Sequence, residues 1–259
     1  MSVMTPGSSV IEHFVNEAPV QVTRAAKKTS ATPYFQWKGV LDRVAAAIIL
    51  IPALPLMLML FALVRLTSRG PALFQQERVG LNGKPFTMYK IRSMYLNAES
   101  LSGPVWASAR DPRATPLGRV LRKLHLDELP QLFNVLFGEM SLVGPRPERP
   151  EFTQCLEKDV PHYSDRFLVR PGVTGLAQVN LPPDTDLDGV RRKLALDLEY
   201  IHTGGLWLDA RILVCTCFRL TGLSSAHLVR LMGLRRLPKP FVAREHVNGH
   251  AGGAPVKPR

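Results

Sequence analysis

At 259 residues the chain holds one domain of moderate size plus attachments, and 46% hydrophobic against 21% charged residues excludes wholesale disorder. A formal net charge of +12 points to an anionic partner, whether nucleic acid, a phosphate-bearing substrate or an acidic lipid surface. The 3 cysteines, Cys155, Cys215 and Cys217, form no CxxC pair. A disulfide framework and a cysteine zinc site are thereby unsupported, while a metal on oxygen ligands stays open.

Residues 1–35 carry Ser, Thr, Pro and Ala without a period and read as a cytosolic tail. A secretory signal is not expected, because the first long apolar run begins only at Val44. From Val44 to Val64 no charge interrupts VAAAIILIPALPLMLMLFALV, which as a straight helix spans roughly 31 Å, about the hydrocarbon thickness of a bilayer. Pro52 and Pro55 fall near its middle, each removing a backbone donor and clashing with the preceding turn, and together they predict a sharp bend. Basic residues stand on both sides: Lys38 and Arg43 before, Arg65 and Arg69 after. A spanning helix concentrates them on one side only. The expected unit, 36–69, is therefore a re-entrant hairpin that enters and leaves one leaflet, with a spanning helix and a buried core helix as the alternatives.

A catalytic domain is expected over 70–222. Asn82-Gly83 separates two alternating runs and predicts a β-hairpin, with Phe86, Met88 and Lys90 on one strand face. Asp111 to Glu148 reads as mostly helical, as do LDGVRRKLALDLEYI and LDARILVCTCFRLTGL. Leu228 to Leu237 interleaves apolar residues with Arg230, Arg235 and Arg236, so 223–245 is expected to be an interfacial amphipathic segment. Gly- and Pro-rich 246–259 reads as a second tail. The fold class that follows is α+β: a small, mostly helical domain with a short hairpin, anchored by the membrane helix and interfacial segments.

Chemistry concentrates in LGRVLRKLHLDELPQLFNVLFGEMSLVGPRP, Leu117 to Pro147. Asp127 and Glu128 stand at the start of a predicted helix, with Pro130 tolerated in its first turn. That place favours negative charge, so Asp127 is expected to stay ionised beside a bound phosphate; the plainer reading is a helix cap. Arg119, Arg122 and Lys123 lie upstream, and Gly144-Pro145-Arg146-Pro147 is a stiff turn that spares Arg146 entropy when it grips a phosphate. RPGVTG, from Arg170 to Gly175, is a further Pro-Gly turn that either presents Arg170 to the same anion or merely connects elements.

Three ordered blocks, GPALFQQERVGLNGKPFTMYKIRSM, LHLDELPQLFNVLFGEMSLVGPRPERPEF and VRPGVTGLAQVN, resemble the bacterial sugar transferases. These are monotopic polyprenyl-phosphate phosphoglycosyl transferases that start exopolysaccharide and other surface-glycan assembly. The resemblance runs from about Trp37 to Leu220. It implies a UDP-sugar donor, a polyprenyl (undecaprenyl) phosphate acceptor, and Asp127 as the nucleophile that takes the sugar phosphate and releases UMP. It also implies Glu128 as a Mg²⁺ ligand, Lys90, Arg122 and Arg146 as phosphate binders, and a membrane helix broken at Pro55. The setting it implies is the bacterial cytoplasmic membrane, its lipids as partners, with both termini and the catalytic domain on the cytoplasmic side; a homodimer is left open. Three departures stand out: Leu54 precedes Pro55 where serine is common, His125 replaces serine or threonine, and LPPDTDLD follows Ala177-Gln178-Val179-Asn180 in place of Gly-Arg.

Two other readings are weighed. Asp184-Thr185-Asp186 has the Asp-x-Asp form of metal-dependent glycosyltransferases, which release UDP rather than UMP. A membrane-anchored nucleic-acid-binding protein would also use the +12 charge, but no helix-turn-helix, zinc-finger or RNA-binding signature accompanies it, and nucleic acid is not an expected partner.

Overall fold

Apolar side chains recurring at spacings of four and three carry one long helix, α1 (Tyr34–Thr67), in the computed structural model, which describes residues 31–98, 111–182, 186–220 and 226–236. Its 34 residues make a rod of roughly 50 Å. Tyr34, Lys38, Asp42, Ala46, Leu50, Ala53, Met57, Leu60 and Val64 form its buried stripe, while Ile48, Ile51, Leu54, Leu58 and Met59 stay exposed. Pro52 and Pro55, where the sequence predicts a sharp bend, both lie inside the helical span. Leu50, Ala53 and Met57 on either side of the prolines sink into one core with Leu132, Val135 and Met140, holding both halves against the same domain.

Each end of α1 is tied down by charge. At the C-terminal end Arg92 donates to the carbonyls of Arg69 (2.6 Å) and Ser68 (2.9 Å) and to Ser68 Oγ (2.7 Å), satisfying groups the helix leaves open. At the N-terminal end Lys38 pairs with Asp42 (2.9 Å) and Asp209 (2.5 Å), and Asp209 accepts from Tyr34 and Tyr200, both at 2.7 Å.

The hairpin follows, β1 (Leu73–Val79) against β2 (Pro85–Ile91), antiparallel with Arg78 opposite Phe86, Gln76 opposite Met88 and Phe74 opposite Lys90. Its connection is longer than a two-residue turn: Gly80–Lys84 closes it, with Asn82 (φ 55) and Gly83 (φ 75) in left-handed conformations. Then come α2 (Pro116–Lys123), a 3-10 turn Leu126–Glu128, α3 (Gln131–Phe137), β3 (Ser141–Val143) and α4 (Pro150–Asp159). After a 3-10 segment Tyr163–Leu168 the chain forms β4 (Gly172–Thr174), α5 (Leu176–Asn180), α6 (Leu187–Thr203), α7 (Leu206–Leu220) and α8 (Ala226–Leu231).

The RPGVTG stretch, read as a turn, supplies β4, which pairs in parallel with β3. In the stretch from Leu228 to Leu237, expected at a lipid surface, Val229 and Leu234 are buried in the main core while Arg230, Leu231 and Arg235 are exposed. Arg236 Nε donates to Glu199 at 2.6 Å and its backbone N–H to Asn180 at 2.9 Å. Of the two expected tails, 1–30 and 246–259 lie outside the described residues, as does Asp184, while Tyr34 and Phe35 of the first already belong to α1.

β2 has no third strand beside it. Fully buried Asn134 takes that place, accepting from the Tyr89 N–H (3.1 Å) and donating to the Thr87 carbonyl (2.7 Å). Asn134→Leu strips both bonds and leaves two part-buried backbone groups without a protein partner. At about 0.5–1.5 kcal/mol for each bond lost, thermal unfolding in detergent is expected to show a loss on the order of 1–3 kcal/mol.

Candidate active site

Leu126 and Leu129 anchor the dyad segment in the apolar cluster of Leu60, Val64, Ile91 and Leu121. His125, at φ 53, reverses the chain after α2, and the 3-10 turn then presents Asp127 and Glu128 side by side. Both are buried, 7% and 9% exposed. The two carboxylates differ sharply in company. Glu128 Oε1 accepts from Arg146 Nη2 at 2.6 Å and from Lys90 Nζ at 3.3 Å. Asp127 accepts no hydrogen bond and makes no ion pair among the described residues.

Arg146 is held by its backbone. Gly144 N–H donates to Thr174 and Gly172 N–H to the Pro145 carbonyl, both at 2.8 Å, stitching the turn across β4. A Cβ on Gly144 would stand 2.5 Å from the Arg170 carbonyl, so glycine is what lets the turn lie this close. Arg166 Nη2 donates to the Arg146 carbonyl (3.0 Å) and to buried Asp197 (2.8 Å), and Arg78 Nη1 donates to the Pro147 carbonyl (3.0 Å). The Arg146 side chain itself is 45% exposed, free on one side to meet a ligand.

Electrostatics separate the pair. Burial raises Glu128, but Arg146 and Lys90 more than offset it and hold its carboxyl well below the usual range. Burial raises Asp127 too; Lys90 opposes this, the neighbouring Glu128 charge reinforces it, and the net shift is upward. The helix start is thus not what sets the titration of Asp127. The dyad sits on its own short turn ahead of α3, and desolvation outweighs the helix end. Burial also lowers Lys90, His125 and Arg78, the last to about 10, so Arg78 stays charged at neutral pH.

A buried, unpaired carboxylate next to one clamped by Arg and Lys, with a pinned arginine at its edge, combines a candidate nucleophile with cations that suit an anionic substrate. The family described as bacterial sugar transferase matches residues 33–222. The chain belongs to the bacterial sugar transferase family. Its relatives include an undecaprenyl-phosphate glucose phosphotransferase of Komagataeibacter xylinus, 42% identical over 72% of this chain and 37% of the relative. A UDP-N-acetylgalactosamine-undecaprenyl-phosphate N-acetylgalactosaminephosphotransferase of Aeromonas hydrophila is 46% identical over 67% of this chain and 41% of its own length. A UDP-glucose:undecaprenyl-phosphate glucose-1-phosphate transferase of Caulobacter vibrioides is 45% identical over 69% and 67% respectively. The chain thus spans about two fifths of the first two relatives and two thirds of the third.

Of the residues singled out in this sugar transferase's sequence, Asp127, Glu128, Lys90 and Arg146 converge. Arg170 is placed elsewhere. Arg122 stands in the last turn of α2, just ahead of the dyad turn, and one of its ion pairs is with Asp111 (3.8 Å), which Arg113 also grips at 2.7 Å. Arg170 Nε donates to the Gly138 carbonyl at 2.8 Å, at the far end of α3. Arg78, Arg166 and Asp197 were not anticipated. A signal for Arg78 existed: the hairpin register puts it on the strand face of Lys90. None existed for Arg166 and Asp197, which meet across 31 positions of sequence. Asp186 of the Asp-x-Asp stretch caps α6, accepting from Gly189 N–H at 2.6 Å, which is a helix-start role.

Among the described residues no group of three or more His, Cys, Asp or Glu side chains forms a metal cage. The site nonetheless fits a magnesium ion. Mg²⁺ commonly takes one or two carboxylates and completes its shell with water and substrate phosphates. Among the described residues, Glu128 Oε2 and both Asp127 oxygens accept no hydrogen bond.

Proposed function

We propose that the chain transfers a sugar 1-phosphate from a UDP-sugar to a polyprenyl phosphate, of the undecaprenyl type named for its relatives, as the first step of exopolysaccharide or other surface-glycan assembly. The observation that carries this is the contrast within the dyad: Glu128 clamped by Arg146 and Lys90, Asp127 buried and bare. An Asp127 oxygen attacks the sugar-bearing phosphorus, the bond to the bridging oxygen breaks, and UMP leaves with that oxygen. An oxygen of polyprenyl phosphate then attacks the same phosphorus, forming the diphosphate and returning the carboxylate. Lys90 and Arg146 face the phosphate oxygens where charge builds, and Arg166 and Arg78 keep the Arg146 turn from yielding. Bound Mg²⁺, held by Glu128 with Asp127 beside it, would supply neutralisation of the donor's diphosphate. The relatives are named for both glucose and N-acetylgalactosamine, and the transferred sugar is set by groups outside this dyad.

The experiment is nucleotide analysis: purified protein, a UDP-sugar panel and polyprenyl phosphate are expected to yield UMP. Released UDP would instead mean transfer of the sugar without its phosphate.

The membrane seat we propose is monotopic. The first turns of α1, at Tyr34, Lys38 and Asp42, and the last, at Leu60 and Val64, both rest on the one polar domain. Crossing a bilayer would drag that domain into hydrocarbon. Its apolar outer face then dips into the cytoplasmic leaflet. A cysteine replacing Ser9, in a background without Cys155, Cys215 and Cys217, is expected to resist an impermeant thiol reagent in intact cells. Ready labelling from outside would mean that α1 spans.

A further inference from the structure

Arg170, drawn by its sequence setting towards the catalytic phosphate, lies instead where α1 meets the end of α3, beside a second arginine. Its Nε holds the Gly138 carbonyl at 2.8 Å, and its Nη1 would stand 2.8 Å from a Cβ on Gly39, so its guanidinium rests on the bare backbone of α1. One turn along α1, Arg43 makes the reciprocal contact. Its Cζ and Nε would lie 2.8 and 2.9 Å from a Cβ on Gly138, whose φ of 81 already favours glycine. Two guanidiniums thus converge on Gly138 from opposite elements.

Among the described residues no carboxylate pairs with either. Arg43 makes no hydrogen bond or ion pair among the described residues, and Arg170 makes only the bond to Gly138. The nearby acid on α1, Asp42, is spent on Lys38 and Ser141. Two like charges held together without a carboxylate repel each other, and an anion relieves that cost.

The surroundings say which anion. A cavity of about 260 Å³, lined by Phe35, Gly39, Leu168, Val169 and Arg170 with the paired Lys38 and Asp42 also in its wall, opens on the Arg170 side of the pair. Phe137, next to Gly138, is 63% exposed, and Trp37, Val40 and Val44 expose the same end of α1. Bare apolar side chains continuous with two cations suit an anionic headgroup with its acyl chains alongside, not a free phosphate. The pair is also separated from the dyad by α3, whose 7 residues span roughly 10 Å, so a lipid phosphate bound here is not the one being attacked.

We infer that Arg43 and Arg170 form a binding site for the headgroup phosphate of an anionic membrane phospholipid, seating the N-terminal half of α1 in the cytoplasmic leaflet. The site is distinct from that of the acceptor lipid and stands whether or not the proposed chemistry holds.

The test is native mass spectrometry of the full chain in detergent with phosphatidylglycerol or phosphatidylcholine added. Wild type is expected to retain phosphatidylglycerol in preference. Arg43→Gln is expected to weaken that retention by about fivefold, the worth of one basic residue at an anionic surface. Arg43→Lys and Lys158→Gln are expected to keep most of it. Since Arg170 also caps α3, Arg170→Lys is compared only after thermal unfolding shows it folded, and it too is expected to keep the preference. Equal retention of both lipids, or undiminished retention by Arg43→Gln, overturns the site. Displacement of phosphatidylglycerol by an equal concentration of inorganic phosphate, or by polyprenyl phosphate, overturns the assignment to a phospholipid.

Discussion

Asp127→Asn is expected to abolish turnover while making the folded protein more stable at neutral pH. The first effect follows from chemistry: an amide is no nucleophile towards phosphorus, and no other carboxylate of the dyad is unengaged, since Glu128 is bound to Arg146 and Lys90. The second follows from burial. Asp127 is held above its ordinary value chiefly by desolvation, with the Glu128 charge adding to it, so its ionised form costs stability in the fold. That cost is present at neutral pH, shrinks as pH falls through the raised folded value, and is gone below the ordinary aspartate value of about 3.9. Asparagine removes it. Thermal unfolding across pH should therefore show the variant's advantage fading towards acid, and wild-type activity should fall on the acid side earlier than an ordinary aspartate would allow. An Asp127→Asn protein less stable than wild type at neutral pH would mean that the carboxylate has a structural partner.

Arg146→Lys is expected to lose roughly 10- to 1000-fold in turnover, about 1.4–4 kcal/mol of transition-state stabilisation. Lysine keeps the charge but not the planar fork, and here the fork has two tasks. One nitrogen, Nη2, is committed to Glu128 at 2.6 Å, leaving the exposed remainder of the guanidinium for phosphate oxygens. An ammonium cannot reach both with fixed geometry. The backbone bonds from Arg166 and Arg78 do not depend on the side chain, so the turn should survive and the loss should fall on turnover rather than folding. Arg119→Lys, on the exposed face of α2, is the matched control and should change activity little. Equal losses from both would remove the reason for placing Arg146 in the site.

The parts of this site legible in the sequence are those whose signal is local. Asn82-Gly83 announced the hairpin, strand alternation aimed Lys90, and the adjacent Asp127-Glu128 and the stiff Gly-Pro-Arg-Pro turn marked themselves. What escaped is non-local. β3 and β4 have three residues each, too short to show a period, yet their parallel pairing fixes where Gly144 and Arg146 stand. Asn134 as a surrogate strand, and Arg166 with Asp197 behind the arginine turn, likewise have meaning only once the chain is folded. Arg170 shows the converse. A basic residue next to a phosphate-like motif looks like a ligand, but Arg170 faces α1.

The central claim is that Asp127 carries the sugar phosphate covalently, and one measurement tests it most directly. Purified wild-type protein is mixed with Mg²⁺ and a UDP-sugar radiolabelled in the sugar, without any lipid acceptor, and the protein-bound label and released UMP are counted. The account predicts UMP release matched by label on the chain, at most one per protein. That label should survive gel electrophoresis, be removed by hydroxylamine as an acyl phosphate is, map to the peptide holding Asp127, and be absent from Asp127→Asn. UMP release that strictly requires the acceptor, with no label on the protein, would contradict it and leave direct transfer between the two bound substrates.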